Sequence, residues 1–133
     1  MKLSFRHIAV IIALGLLGWA LCGAVMFTGT AALGLETTLV IHAIAAPIIF
    51  AAISWFYFTR LAYTRPLTTA VAFTSVVIFM DFFLVALVIN RSFDMFRSLI
   101  GTWVPFALIF LSTYITGLAI KAPGGLPATE RTR

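Results

Sequence analysis

Leu67–Asn90 reads LTTAVAFTSVVIFMDFFLVALVIN, an uninterrupted apolar run with one ionisable side chain, Asp81, deep inside it. At 1.5 Å per residue an α-helix of this length reaches about 36 Å, enough to cross a hydrocarbon core of about 30 Å. A carboxylate at the centre of such a helix costs about 2.5–3.5 kcal/mol to insert, so it is expected to face a bundle interior or a wet cavity. Asp81 is therefore the leading candidate for a functional group. Desolvation disfavours its charged form, and no Lys or Arg shares its depth, so it is expected to hold a proton at rest unless water or a cation reaches it.

Three further runs have the same character, at about 8–27, 39–58 and 99–120. The chain has 133 residues, 62% of them hydrophobic and 10% charged, with a mean hydropathy of +1.13. That composition excludes a soluble domain. Backbone groups in lipid must be satisfied within each segment, and runs this long without strict alternation exclude a barrel of short strands. The expected architecture is an all-α membrane protein: one four-helix transmembrane bundle over 1–120, followed by a disordered tail over 121–133, where Pro123, Gly124, Gly125 and Pro127 preclude a core. Lys2 and Arg6 before the first run also suit a secretory signal. The run is longer than the 7–15 residues of a typical signal core, and Leu21 stands where a lipoprotein site needs a small residue, so a membrane helix is expected.

The nine Lys and Arg divide unevenly. Lys2, Arg6, Arg60, Arg65, Lys121, Arg131 and Arg133 fall on one side, Arg91 and Arg97 on the other. By the positive-inside rule both termini and the Arg60–Pro66 connection are expected to be cytoplasmic, and the Thr28–Thr38 and Arg91–Ser98 loops to face outward. Trp55, Tyr57 and Tyr63 are the expected inner aromatic anchors, with Trp103 the outer one. The localisation this implies is multi-pass in a cell membrane, of the prokaryotic cytoplasmic type. The net charge of +5 follows from topology and gives no support to nucleic-acid binding.

Counting depth along the helices extends the reading. Asp81 is nine residues from Asn90, about 13 Å below the outer edge. The same level falls at Trp19 to Cys22, at Pro47 and near Leu108. Pro47 and Pro105 are each expected to remove a helical hydrogen bond and kink a helix beside the acid. His42 lies about 7 Å above Asp81 and Glu36 further out, so Glu36, His42 and Asp81 form a candidate outward-facing proton or cation route. Alternatively, His42 is an interfacial residue bonded to a backbone carbonyl, and Asp81 a protonated acid holding helices in register. Thr74 is the polar member of the helical face expected to contain Asp81, with Val77, Ile78, Leu84, Val85 and Val88. That face is too apolar for an open pore and suits an occluded site.

The remaining signals are weaker. In Arg91-Ser92-Phe93-Asp94-Met95-Phe96-Arg97, a helical turn would bring Arg91, Asp94 and Arg97 together, either as an interfacial turn or as a headgroup-binding loop. Gly15, Gly18, Gly23, Ala45, Ala46, Ala51, Ala52, Gly101 and Gly117 are the expected close-packing positions. Ser112, Thr113, Tyr114 and Thr116 are hydroxyls that either line a path or bond back to their own helix. Cys22, the one cysteine, precludes an intramolecular disulfide, and His7 and His42 lie at opposite ends and cannot share one haem. No zinc cluster, phosphate loop or catalytic triad pattern is present, so neither a cofactor nor a metal nor an enzyme is indicated. The functional expectation is binding or transport of a proton, cation or small solute at Asp81. The alternative is a non-catalytic accessory or assembly subunit. Besides the lipid bilayer, a homo-oligomer or a larger membrane complex is the expected partner.

Overall fold

The computed structural model describes residues 4–89, 91, 97 and 102–121. It is an all-α bundle: α1 (Phe5–Leu33), α2 (Leu35–Arg60), α3 (Pro66–Met80), a π-helical segment (Asp81–Ile89) continuing α3, and α4 (Val104–Lys121). Three of these stretches, α1, α2 and Pro66–Val88, are long and apolar enough to cross a membrane. The fourth apolar stretch, Val104–Ile120, is shorter.

Close approaches fix how the helices run. On α1, Gly15 faces Val76 of α3, while Gly18 and Gly29 face Phe50 and Thr38 of α2. Rising numbers on α1 thus meet falling numbers on α2, and α1 runs parallel to α3. On α4, Gly117 faces both Phe58 and Pro66. The end of α4 therefore lies beside the end of α2 and the start of α3. In cross-section α1 and α4 each pack between α2 and α3, and α2 meets α3 across the centre through Phe73 with Phe50 and Tyr57. Ala46, Phe50, Tyr57, Ala70, Phe73 and Ala86 are fully buried there.

The ends depart from expectation. Thr28–Thr38, expected as an outer loop, is helical on both sides of Gly34, whose φ of 86° turns the chain within one residue. Thr28 and Thr38 donate their hydroxyls to the carbonyls of Ala24 and Gly34, at 2.6 Å each, which lets polar residues continue a helix where hydropathy falls. Glu36 accordingly sits exposed in the first turn of α2, not in a loop. At the other end Ser4 and His7 form a reciprocal cap on α1, and the His7 ring stacks on Tyr63 at 4.0 Å.

Tyr57, expected as an interfacial anchor, is instead wholly buried, with its hydroxyl bound to Thr64. Trp55 and Trp103 are exposed, as an aromatic belt requires. Pro105 also differs from expectation. It lies in the first turn of α4, after a π-helical turn at Thr102–Trp103, and not in a helix interior. A missing N–H costs little in a first turn. Gly101, Asp94 and residues 122–133 are outside the described residues. Arg91 and Arg97 are exposed.

Candidate functional site around Asp81

Asp81 stands where α3 changes from α to π geometry. Its N–H is shared between the carbonyls of Ile78 and Val77, and from there the helix widens for nine residues. Changes of this kind inside helices occur frequently at functional sites. The wider pitch also rephases the faces. Of Leu84, Val85 and Val88, expected beside Asp81 from α spacing, Leu84 and Val85 are half-buried like Asp81 itself, but Val88 is 60% exposed and Ala86 is fully buried. The inward-facing stripe steps four residues from Val77 to Asp81 and then five from Asp81 to Ala86, the second a step that α periodicity does not produce.

The carboxyl group is partly buried, and Trp19 donates its indole N–H to Oδ1 at 2.8 Å. This bond crosses from α1 to the α3 junction. It exists because Gly15 and Gly18 let α1 approach Val76 and Phe50, which places the next residue, Trp19, at the level of Asp81. Indole is suited to the role: an apolar body for the lipid-like surroundings and one N–H donor for the acid. The buried Cys22 thiol lies almost one turn further along α1.

The other candidate residues are not gathered around it. Gly18 is level with Phe50, so the Trp19–Asp81 level meets α2 near Ile49. His42 is then about 10 Å above Asp81 and Glu36 about 20 Å. The three do not form a hydrogen-bonded series. His42 Nδ1 is buried and makes no hydrogen bond, which also rules out the carbonyl-bonded reading for that atom. Pro47 lies inside α2 within about one turn of the Asp81 level, and its missing N–H leaves the Ala43 carbonyl without its i+4 donor. Thr74, two turns below Asp81 on α3, has a buried Oγ1 with no partner. Among the described residues no group of three His, Cys, Asp or Glu side chains comes together as a metal site would need. Asp81 is thus a lone carboxyl group with one hydrogen-bond donor, Trp19, beside it.

Depth counting put Trp19 at this level, but did not mark it as a partner. Nothing in the sequence gave the lateral order of the helices, and only the Gly15 and Gly18 spacing hinted at which face of α1 turns inward. No family model, curated protein or solved structure matches the chain.

Proposed function

We propose that the chain is a four-span membrane protein with both termini cytoplasmic, which binds or transports a proton, a cation or a small solute at an occluded site formed by Asp81 and Trp19. The observation that carries this reading is the Trp19–Asp81 hydrogen bond at the α-to-π junction, about two turns inside the end of a membrane-length stretch, Pro66–Val88. A carboxyl group there is costly to keep. Its donor is positioned by two glycines, and the flanking backbone leaves the α form at the same residue. An acid that served only as helix glue would need the donor but not the rephased backbone.

In this reading Trp19 holds the carboxyl group in one orientation, and exchange of a proton for a cation at the carboxylate couples occupancy to movement. His42, with an unpartnered buried nitrogen, lies on the outer approach, and Glu36 marks its mouth. The test is flux of protons, alkali cations and a lipophilic cation into vesicles containing the purified chain, with Asp81→Asn and Trp19→Phe compared. Asp81→Asn is expected to insert normally and abolish flux, and Trp19→Phe to weaken it. Unchanged flux in Asp81→Asn rejects the reading.

A second reading, a subunit of a larger membrane complex, is favoured by one observation. At most 22% of each of the three membrane-length windows is buried within the chain, and the Phe79, Phe82 and Phe83 rings cluster on the exposed face. Native mass spectrometry of the tagged chain taken from its own membranes separates the two: stoichiometric partner chains support the subunit, whereas a lone monomer or dimer supports an autonomous carrier.

A further inference from the structure

Among the described residues, two sets of hydroxyls contrast. Thr28, Thr38, Thr59, Thr69 and Ser112 each donate to a carbonyl three or four residues back in their own chain, the usual way a hydroxyl is satisfied in a membrane helix. Ser54, Thr74 and Thr113 do not. Their oxygens are buried and make no hydrogen bond, and Ser54 and Thr113 have no exposed surface at all. A buried hydroxyl without a partner costs about 1–3 kcal/mol, and back-bonding was open to all three.

Position makes the group coherent. Phe58 touches Gly117, and α2 and α4 run parallel, so one turn up from that contact brings Ser54 and Thr113 to the same depth on facing helices. Counting from the Phe58–Gly117 contact along α2 and α4, Tyr57 lies at about 1.5 Å and Ser54 and Thr113 at about 6 Å, while on α3 Thr74 lies about 10 Å below Asp81. Between Thr74 and Tyr57 the centre is filled by the fully buried Phe50 and Phe73 rings, which leaves the flanks to the hydroxyls.

Below them a hydroxyl chain already exists. Tyr57 and Thr64 are 2.7 Å apart, Thr64 and Thr69 2.6 Å, and Thr69 donates to the Arg65 carbonyl at 2.9 Å. Because Thr69 gives its proton to Arg65, its contact with Thr64 uses the Thr64 proton, and the next contact uses that of Tyr57. All three donors therefore point the same way, toward the Arg60–Pro66 end. A chain of aligned hydroxyls passes a proton when each oxygen accepts one on a lone pair and releases its own to the next; the last hydroxyl, Thr69, gives its proton to water at the Arg60–Pro66 end, and each hydroxyl then turns back to its starting direction before the next transfer.

Resting on the reading of Asp81 given above, we propose that Ser54, Thr74 and Thr113 form a second, water-binding polar site, and that water held there joins Asp81 to the Tyr57–Thr64–Thr69 chain as the inner half of a proton route. The three oxygens are neutral, and each both donates and accepts, which suits water and protons better than a dehydrated metal cation. The residue types on the flanking faces agree: no carboxylate from α2, α3 or α4 lies at the Ser54 level.

The test uses the full chain in vesicles loaded with a pH-sensitive dye, with proton entry driven by a potassium diffusion potential. Wild type, Ser54→Ala/Thr113→Val, Thr113→Ser and Asp81→Asn are compared in a Trp55→Phe/Trp103→Phe background, so that Trp19 emission reports the Asp81 site. The double variant is expected to lose about tenfold or more of the proton flux, the barrier equivalent of one buried hydrogen bond. Thr113→Ser is expected to keep the flux, with Trp19 emission unchanged in both. A double variant that conducts like wild type overturns the inner site, and leaves the Asp81 reading standing if Asp81→Asn is still inactive. Wild-type vesicles no more permeable to protons than empty ones overturn the proton route, while cation or solute flux lost in Asp81→Asn would still support the Asp81 site. Flux unchanged in Asp81→Asn removes the reading on which the inference rests.

Discussion

Gly18→Ala is the perturbation whose size follows most directly from the packing. A Cβ at Gly18 would sit 2.4 Å from Cζ of Phe50, and 2.7 and 2.8 Å from two neighbouring ring carbons, whereas ordinary contact begins at 3.4 Å. Either the ring or α1 must move by the difference, 3.4 − 2.4 = 1.0 Å. The ring has little room to give, since Phe50 is fully buried and its centroid lies 6.0 Å from that of Phe73. Overpacking of this kind costs about 1–3 kcal/mol. If α1 gives way instead, the 2.8 Å Trp19–Asp81 bond is stretched by up to 1.0 Å and weakened or lost, adding up to about 0.6–1.7 kcal/mol for an interhelical hydrogen bond in a membrane. Gly18→Ala is thus expected to destabilise the bundle by about 2–4 kcal/mol and to change Trp19 emission, with Phe50→Leu restoring part of the loss. Reversible unfolding in mixed micelles, read by Trp19 fluorescence with Trp55 and Trp103 replaced by Phe, measures both effects. A variant within about 0.5 kcal/mol of wild type, with unshifted emission, would refute the α1–α2 contact and with it the positioning of Trp19.

Two other substitutions probe the ends of the bundle. Tyr57→Phe removes the acceptor for the Thr64 N–H, at 3.0 Å, and the partner of its hydroxyl; a loss of about 1–3 kcal/mol is expected in the same unfolding assay, with a control Phe56→Leu near neutral. Gly34→Ala meets no neighbouring atom within 4 Å but forces an L-residue to a φ of 86° and a ψ of 165°, a conformation essentially confined to glycine, so a loss of about 1–3 kcal/mol is expected from backbone strain alone, and Gly34→Asn should not relieve it.

The helical architecture was legible because it rests on solvent: runs that must cross lipid have one way to satisfy their backbones. Asp81 was legible for the same reason, being an expense that composition alone exposes. Its partner was half legible. Rise per residue is fixed, so depth counting brought Trp19 to the right level, but which helix lies beside which depends on side-chain contacts such as Gly15 with Val76 that no linear pattern encodes. The π segment was not legible, because Asp81–Ile89 is equally apolar on every side and carries no periodicity to reveal its phase. The Thr28–Thr38 hairpin was misread through its threonines. Their hydroxyls lower hydropathy as a loop would, yet two of them are spent within the helices themselves. The same ambiguity hid the distinction between back-bonded Thr69 and unpartnered Thr74, which a sequence shows as two equivalent threonines.

The one-residue turn at Gly34 sets how the molecule sits across a bilayer. With no loop to absorb its length, α1 continues for 29 residues, about 43 Å end to end, against a hydrocarbon thickness of about 30 Å and a full bilayer of about 40–45 Å with headgroups. An upright α1 therefore matches the whole bilayer, with the threonine-rich hairpin tip in the headgroup zone. In a thinner membrane it has to lean, and α2, joined to it by a single residue, leans too. Hydrophobic mismatch is then felt on the α1 side of the Trp19–Asp81 contact, which ties the geometry of the buried acid to the thickness of the surrounding lipid.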